Sequence, residues 1–338
     1  MKSPIHALLL LVSFSLILCT GCTTPQKVIP PTLISDYQGQ QNHDTFYNHD
    51  GLELYGQYWL PPKHSTQDQS TEIDPKAVVL IVHGTSLHSG VYDHVGKFLS
   101  GHGYAVYGTD LQGWGKSEGK GKHGFIENQM DYVKDIQLVL DRIEKRFPKK
   151  KVFVIGESLG ANIALYGYLR GKTEFDGFIF SGAGYRPNPK LLGIRYPRFM
   201  LVIPTALSSA WGNVFPAWPS LPSDYGLSTV IKDKEVERTL KDDPLVAHNW
   251  IPASYISAFV KADQYNADNL EKVDIPILLF HGEKDKLVPI QSSQEIFDRV
   301  SSEDKSLRVL EDIHHATLID IGRYERLEEI AQWLEERN

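Results

Sequence analysis

The chain has 338 residues, of which 41% are hydrophobic and 23% charged, and carries a formal net charge of -7. That length accommodates one large α/β domain with an insertion, or two smaller domains, and the normal apolar content excludes a disordered chain. The acidic balance leaves no basic patch for nucleic acid. Cys19 and Cys22 are the only cysteines, both near the N-terminus, so a disulfide or thiolate metal site within the folded domain is excluded.

Lys2 precedes an apolar run from Ala7 to Leu18, too short to cross a bilayer and of the length of a signal-peptide core. Cys19-Thr20-Gly21-Cys22 follows. Small residues just before a cysteine resemble the bacterial lipobox, whose cysteine becomes the lipidated first residue of the mature protein. The resemblance implies residues 1–21 as a lipoprotein signal peptide, Cys22 as the lipid anchor and a lipid-anchored place in the bacterial cell envelope. By resemblance to sorted lipoproteins, Thr23 in place of an aspartate implies the outer membrane. Residues 22–44, rich in Thr, Gln and Pro, read as an extended tether.

Gly51 to Leu60 alternates as a strand does before Pro61-Pro62, and Ala77 to Val82 is a continuous apolar run of the kind that forms a buried strand, ending at His83-Gly84-Thr85. A helix over Tyr92–Leu99 and a strand over Tyr104–Tyr107 come next, closing at Asp110 and the loop Gly113-Trp114-Gly115-Lys116-Ser117-Glu118-Gly119. Met130, Val133, Ile136, Leu140, Ile143 and Phe147 recur at helical spacing, and Pro148 ends that helix. Lys151 to Ile155 predicts a strand, the segment from Ala161 a helix, and Phe178–Phe180 another strand. The rhythm breaks between 185 and 269, where nine of the 19 prolines and three of the six tryptophans fall. Regular βα units cannot form there, so residues 185–269 are expected to be a cap inserted into a core of 45–184 and 270–338. A strand over Ile275–Phe280, a helix over Gln291–Val300, a strand over Leu307–Leu310 and a helix over Tyr324–Glu336 resume the pattern. The expected class is α/β, a mostly parallel central sheet with helices on both faces.

Between strand and helix stands Gly156-Glu157-Ser158-Leu159-Gly160. A G-x-S-x-G placed so puts the serine on a strained turn with its hydroxyl above the sheet's end, where Ser158 can act as a nucleophile and the Leu159 amide can donate to an oxyanion. Such a serine needs a base, and the base an orienting acid. Asp285 and Glu283 both lie just past a strand, at the edge where open α/β sheets place their site residues, and His314 and His315 are the only histidines after them.

From about Asn48 onward the chain resembles the monoglyceride lipase and lysophospholipase branch of the α/β-hydrolases. His83-Gly84-Thr85 with His88-Ser89-Gly90-Val91-Tyr92, Asp110 with its glycine loop, the elbow, Asp243-Pro244-Leu245, His281-Gly282 with Asp285, and the late histidine carry the resemblance. It implies Ser158 as nucleophile, Asp285 as acid and His315 as base, with the oxyanion hole at the amides of Thr85 and Leu159. It also implies cleavage of carboxylic esters of monoacyl lipids, a lipid-like ester substrate and no metal or organic cofactor. Glu157 and Leu159 depart from the His and Met usual in those lipases, which leaves the mechanism intact and the substrate open. His83, Asp110 and Ser117 read as braces of the surrounding loops. The apolar run Phe199–Ile203 is expected to border an acyl tunnel. Other readings are an esterase, thioesterase or peptidase on a non-lipid acyl substrate, or a non-catalytic binding protein on the same scaffold.

Overall fold

The computed structural model describes residues 39–62, 73–121, 123–184, 219–222, 227–247 and 250–338. The signal segment, Cys22, most of the tether and the run Phe199–Ile203 lie outside the described residues. Eight strands form one sheet: β1 (Gln40–Tyr47), β2 (Glu53–Leu60), β3 (Val78–Val82), β4 (Ala105–Thr109), β5 (Val152–Glu157), β6 (Gly177–Ser181), β9 (Ile277–Gly282) and β10 (Lys305–Leu310). Their spatial order is β1-β2-β4-β3-β5-β6-β9-β10. The first two pairings, β1 with β2 and β2 with β4, are antiparallel, and all the others are parallel.

The continuous apolar runs follow from burial on both faces of this sheet. Along β3, Val78, Leu80 and Val82 join one core layer, while Val79 and Ile81 join the other. Helices α2 (Met130–Arg146), α3 (Leu159–Leu169) and α7 (Ile290–Arg299) supply the first layer, and α1 (Asp93–Gly101) and α8 (Arg323–Glu335) the second. Helix α2 buries Val133, Ile136, Leu140 and Ile143 along one stripe, and Lys145 and Arg146 in its last turn meet the negative end of the helix dipole. Helix α3 is buried on nearly every side, which is why its sequence is apolar almost throughout. Each of the larger side chains in these layers contributes about 1.5–3 kcal/mol by leaving water, and Phe178→Ala at the sheet's centre would cost about 3–5 kcal/mol.

Strand β1 starts at Gln40, so residues 40–44, assigned above to the tether, belong to the sheet. Its first four residues are exposed, because on an edge strand the ladder to β2 needs only backbone groups and places no demand on side-chain polarity.

Between β6 and β9 the chain leaves the sheet. Described there are β7 (Pro219–Pro222) and β8 (Trp250–Pro252), paired antiparallel, with α4 (Leu227–Val230), α5 (Lys234–Asp242) and α6 (Ala253–Ala267). Asp233 caps α5 by accepting the amides of Glu235 and Val236 at 3.0 and 3.3 Å. Helix α6 lies on α3. Asn162 donates to the buried Asp263, Gln129 Nε2 donates to Asn162 Oδ1 at 2.9 Å, and Asn266 Nδ2 donates to the Asn162 carbonyl at 3.1 Å. Burial pushes the Asp263 carboxyl well above the usual carboxylate range.

Candidate active site

The C-terminal ends of β3, β5, β9 and β10 bring the predicted residues to one edge of the sheet. Ser158 follows β5 with φ +52° and ψ -109°, a conformation rare for a residue with a side chain. The elbow needs close backbone approach on both sides. A Cβ at Gly160 would stand 1.9 Å from the Val82 carbonyl oxygen, and one at Gly156 2.6 Å from the Ala161 amide nitrogen. The Ser158 amide donates to the Ser181 carbonyl at 2.8 Å, pinning the elbow to the end of β6. Leu159 begins α3, so its amide has no acceptor within the helix and faces the turn with the helix's positive end.

Asp285 lies three residues past β9, and His315 follows β10. Asp285 Oδ1 accepts the amides of Leu287 and Val288 at 2.8 and 2.9 Å, which orients the carboxylate, and Oδ2 lies 2.6 Å from His315 Nδ1. Both side chains are almost fully buried. A carboxylate facing Nδ1 fixes the proton on that nitrogen, which leaves Nε2 with its lone pair. Nε2 is itself buried and, among the described residues, has no hydrogen-bond partner. The imidazole ring lies over Gly182, where a Cβ would come within 2.8 Å of Cε1, one residue beyond the carbonyl that holds the Ser158 amide.

The electrostatics of the pair agree. Burial alone would raise the Asp285 carboxyl, but the His315 charge and hydrogen bond outweigh it, and the carboxyl is held below the usual range. Burial opposes charge on His315, and Asp285 together with Glu157 more than offsets this, so the imidazole lies above the ordinary histidine value. Glu283, the other acid considered, is an exposed side chain that accepts the Asp312 amide at 3.1 Å and pairs with Lys284. His314 does not pair with Asp285.

The loop after β3 carries Thr85. Leu87 N donates to the Gly84 carbonyl at 3.3 Å across a turn in which Ser86 takes φ +67°. His83 Nε2 accepts the Leu111 amide at 3.0 Å, so Nδ1 carries the proton and donates to the Gly84 carbonyl at 2.8 Å. Burial pushes this imidazole down to about 4, so it stays neutral. Asp110 accepts the amides of Ser89 and Lys116 and the Ser89 hydroxyl at 2.6–2.8 Å, and Ser117 Oγ donates to the Asp110 carbonyl at 2.6 Å. These three residues tie loops and do not reach the Asp285–His315 pair.

Residues outside the sheet clasp the same loop. Thr85 Oγ1 and Tyr255 Oη are 2.5 Å apart, Ala247 N donates to the Ser86 carbonyl at 2.9 Å, and His88 Nε2 donates to Asp243 at 2.9 Å while its Nδ1 accepts the Gly90 amide at 3.1 Å. Tyr255 was not legible as a site residue, since nothing in a lone aromatic of a proline-rich stretch marks it. Nor were Tyr92, Ser181 and Leu318, which surround the carboxylate of Glu157, although Glu157 itself stood out as an unusual elbow residue.

Known proteins resemble this arrangement over most of its length. The monoacylglycerol lipase of Mycolicibacterium smegmatis is 26% identical over 284 residues, spanning 84% of this chain and 93% of that one. The monoglyceride lipase of Homo sapiens is 25% identical over 292 residues, spanning 86% and 89%. The structure of a soluble variant of monoglyceride lipase from Saccharomyces cerevisiae in complex with a substrate analog superposes with a TM-score of 0.74 at 18% identity, covering 90% of this chain and 97% of that one, which shows the α/β-hydrolase fold. Residues 73–322, which hold every residue of the site, match the model of the serine aminopeptidase S33 (Hydrolase_4) family, and the chain belongs to that family.

Proposed function

We infer that the protein is a serine ester hydrolase acting on monoacylglycerols and related monoacyl lipids. The observation that carries this reading is the Asp285–His315 pair, whose buried Nε2 has no partner among the described residues and whose imidazole lies over Gly182, the residue after the Ser181 carbonyl that anchors the strained Ser158 elbow. The lipase relatives supply the substrate class.

In this reading His315 Nε2 takes the proton as Ser158 Oγ attacks the ester carbonyl, and Asp285 holds the tautomer and faces the imidazolium. The amides of Thr85 and Leu159 stabilise the oxyanion, each such donor being worth about 3 kcal/mol of barrier. The tetrahedral species collapses as His315 returns its proton to the departing alcohol, leaving an acyl ester on Ser158. Water then attacks that ester, with His315 again the base, and the fatty acid leaves. In this reading the segment 185–269 serves as the cap that selects the substrate. Ser158→Ala is expected to abolish hydrolysis of monoacylglycerol and labelling by a fluorophosphonate, and a folded mutant that still turns over sinks the reading.

The family description favours one second reading, an amide substrate. Comparing p-nitrophenyl esters of rising chain length with aminoacyl p-nitroanilides decides between them, since a peptidase turns over the anilides and a monoacyl-lipid hydrolase prefers the longer esters.

We place the enzyme at the bacterial cell envelope, anchored at the outer membrane through lipidated Cys22. The charged start, the apolar core and the Thr20-Gly21 pair before the cysteine support this. Two or three acyl chains, at about 0.8 kcal/mol per buried methylene, hold far more firmly than one. Cys22→Ser is expected to move the protein out of the membrane fraction, and a mature wild-type protein with an unmodified N-terminus overturns the assignment.

A further inference from the structure

Glu157 precedes the nucleophile, and its side chain is driven beneath the site, almost wholly out of water. Three donors converge on it. Tyr92 Oη donates to Oε2 at 2.7 Å, and Ser181 Oγ and the Leu318 amide donate to Oε1 at 2.8 and 3.2 Å. Tyr92 Oη accepts the Gly84 amide at 3.4 Å, so its single proton is left for Glu157. The Leu318 amide can only donate. Donors thus face both oxygens, from the Tyr92 phenol, the Leu318 amide and the Ser181 hydroxyl, a setting built to receive the ionised form.

The partners belong to every moving part of the proposed reaction. Gly84 precedes the oxyanion residue Thr85, and Tyr92 closes the turn Ser89–Tyr92 that follows the same loop. Ser181 offers its carbonyl to the Ser158 amide, and its hydroxyl also lies 2.8 Å from Thr317 Oγ1. Thr317 and Leu318 follow His315. One buried charge thus links the oxyanion loop, the elbow and the base-bearing loop.

The charges around it are few. His315 is faced by Asp285 from the loop after β9, by His281 of β9 through that carboxylate at 3.4 Å, and by Glu157 from β5. Beyond Glu157 stands buried Arg326 of α8, which feels the charges of Asp320 and Glu157 and is held by the carbonyls of Asp320 and Ile321. From α1, His94 donates to the Leu318 carbonyl at 2.9 Å, and burial pushes its imidazole down to about 4, so it brings no charge. Burial pushes the Glu157 carboxyl above the usual range, opposed by the bonds from Tyr92, Ser181 and Leu318 and by His315.

We propose that Glu157 is a positioning residue of the reaction: an ionised second carboxylate that holds the oxyanion loop and the His315 loop in register and faces the imidazolium formed when Ser158 gives up its proton. This rests on the assignment of Ser158 and His315 above. Asp285 holds the ring from the Nδ1 side, and Glu157 acts from beneath the elbow, through the field and through the loops.

The test is the pH dependence of hydrolysis of a short p-nitrophenyl ester by the wild type, Glu157→Gln, Glu157→Asp and Tyr92→Phe. His315 must be neutral to accept the proton, so the acid limb of kcat/KM reports its titration. Glu157→Gln keeps the shape and removes the charge, so the imidazolium loses a stabilising neighbour and the limb moves to lower pH, by about one unit, with kcat on the plateau about tenfold lower and KM little changed. Glu157→Asp retains the charge with a shorter reach, so it lowers kcat and leaves the limb near its wild-type position. Tyr92→Phe deprives Glu157 of one donor and Gly84 of its acceptor, and lowers kcat about threefold to tenfold at unchanged KM. An unmoved limb in Glu157→Gln overturns the proposal. Should that variant not fold, full kcat in Tyr92→Phe overturns it just as well. Turnover by Ser158→Ala in the same assay would instead defeat the hydrolase assignment, so the two failures are distinct.

Discussion

The two halves of the site are fastened differently. On the proposed acid–base half, the Asp285 carboxylate is held by the amides of its own loop and by His315, and among the described residues no side chain of the excursion between β6 and β9 takes part. The proposed oxyanion loop, besides its core fixings, takes three from that excursion: Tyr255 on Thr85, Ala247 on Ser86 and Asp243 on His88. The excursion does touch the base-bearing loop, where Ala316 N donates to Val230 at 2.9 Å and Asp320 accepts the amides of Lys232 and Asp233 at 2.9 and 2.8 Å, but these contacts are to the loop and not to the pair. In the proposed mechanism proton transfer thus rests on the core, while oxyanion stabilisation also depends on the described residues of the excursion that hold the Thr85 loop.

That contrast is breakable. Ser158→Ala and His315→Ala should each lower kcat by about 10⁵-fold or more, whereas His314→Ala should stay near wild type, because members of such a unit are not replaced by their neighbours. Steady-state assay of the folded mutants checks this, and a silent His315→Ala would move the base. Asp285→Asn should cost about 10⁴-fold, since an amide at that place favours the wrong tautomer of His315. The acid limb of kcat/KM in the wild type should lie above pH 6.5, the ordinary histidine value. The sign follows from the raised imidazole pKa: the base is charged and inactive below it and neutral above it, so activity rises with pH through that value. The smallest effect belongs to the oxyanion half. Tyr255→Phe removes the partner of Thr85 and should lower kcat about threefold to tenfold, with the acid limb unmoved, because the acid–base pair is untouched. A shift of the limb in that mutant would show that the excursion, too, reaches the acid–base pair.

The core was legible because its strands are buried on both faces and therefore read as unbroken apolar runs, and the elbow because two glycines and a serine within five residues encode one local turn. Asp285 and His315 were readable as far as strand ends could place them, while the choice over Glu283 and His314 needed the resemblance; the pairing at 2.6 Å is a tertiary fact. Strand β1 was missed because Gln40, Gln41, Asn42 and His43 meet water and owe their place to backbone pairing alone. Helix α6 was missed because its face toward α3 carries Asn266 and Asp263, buried polar groups that bond to Asn162, so no clean apolar stripe announces it. The Glu157 network joins residues 24 to 161 positions apart, and no periodicity in the sequence records such a meeting.

The positive φ of Ser158 has a thermodynamic side. A side-chain-bearing residue held there stores about 1–3 kcal/mol, and only glycine adopts the conformation freely. The native state therefore carries that energy at the position where reactivity requires a hydroxyl, and Ser158→Gly should give an inactive protein that melts a few degrees higher than the wild type by calorimetry. In the proposed reaction, part of this fold's possible stability is given up to keep a hydroxyl at the elbow.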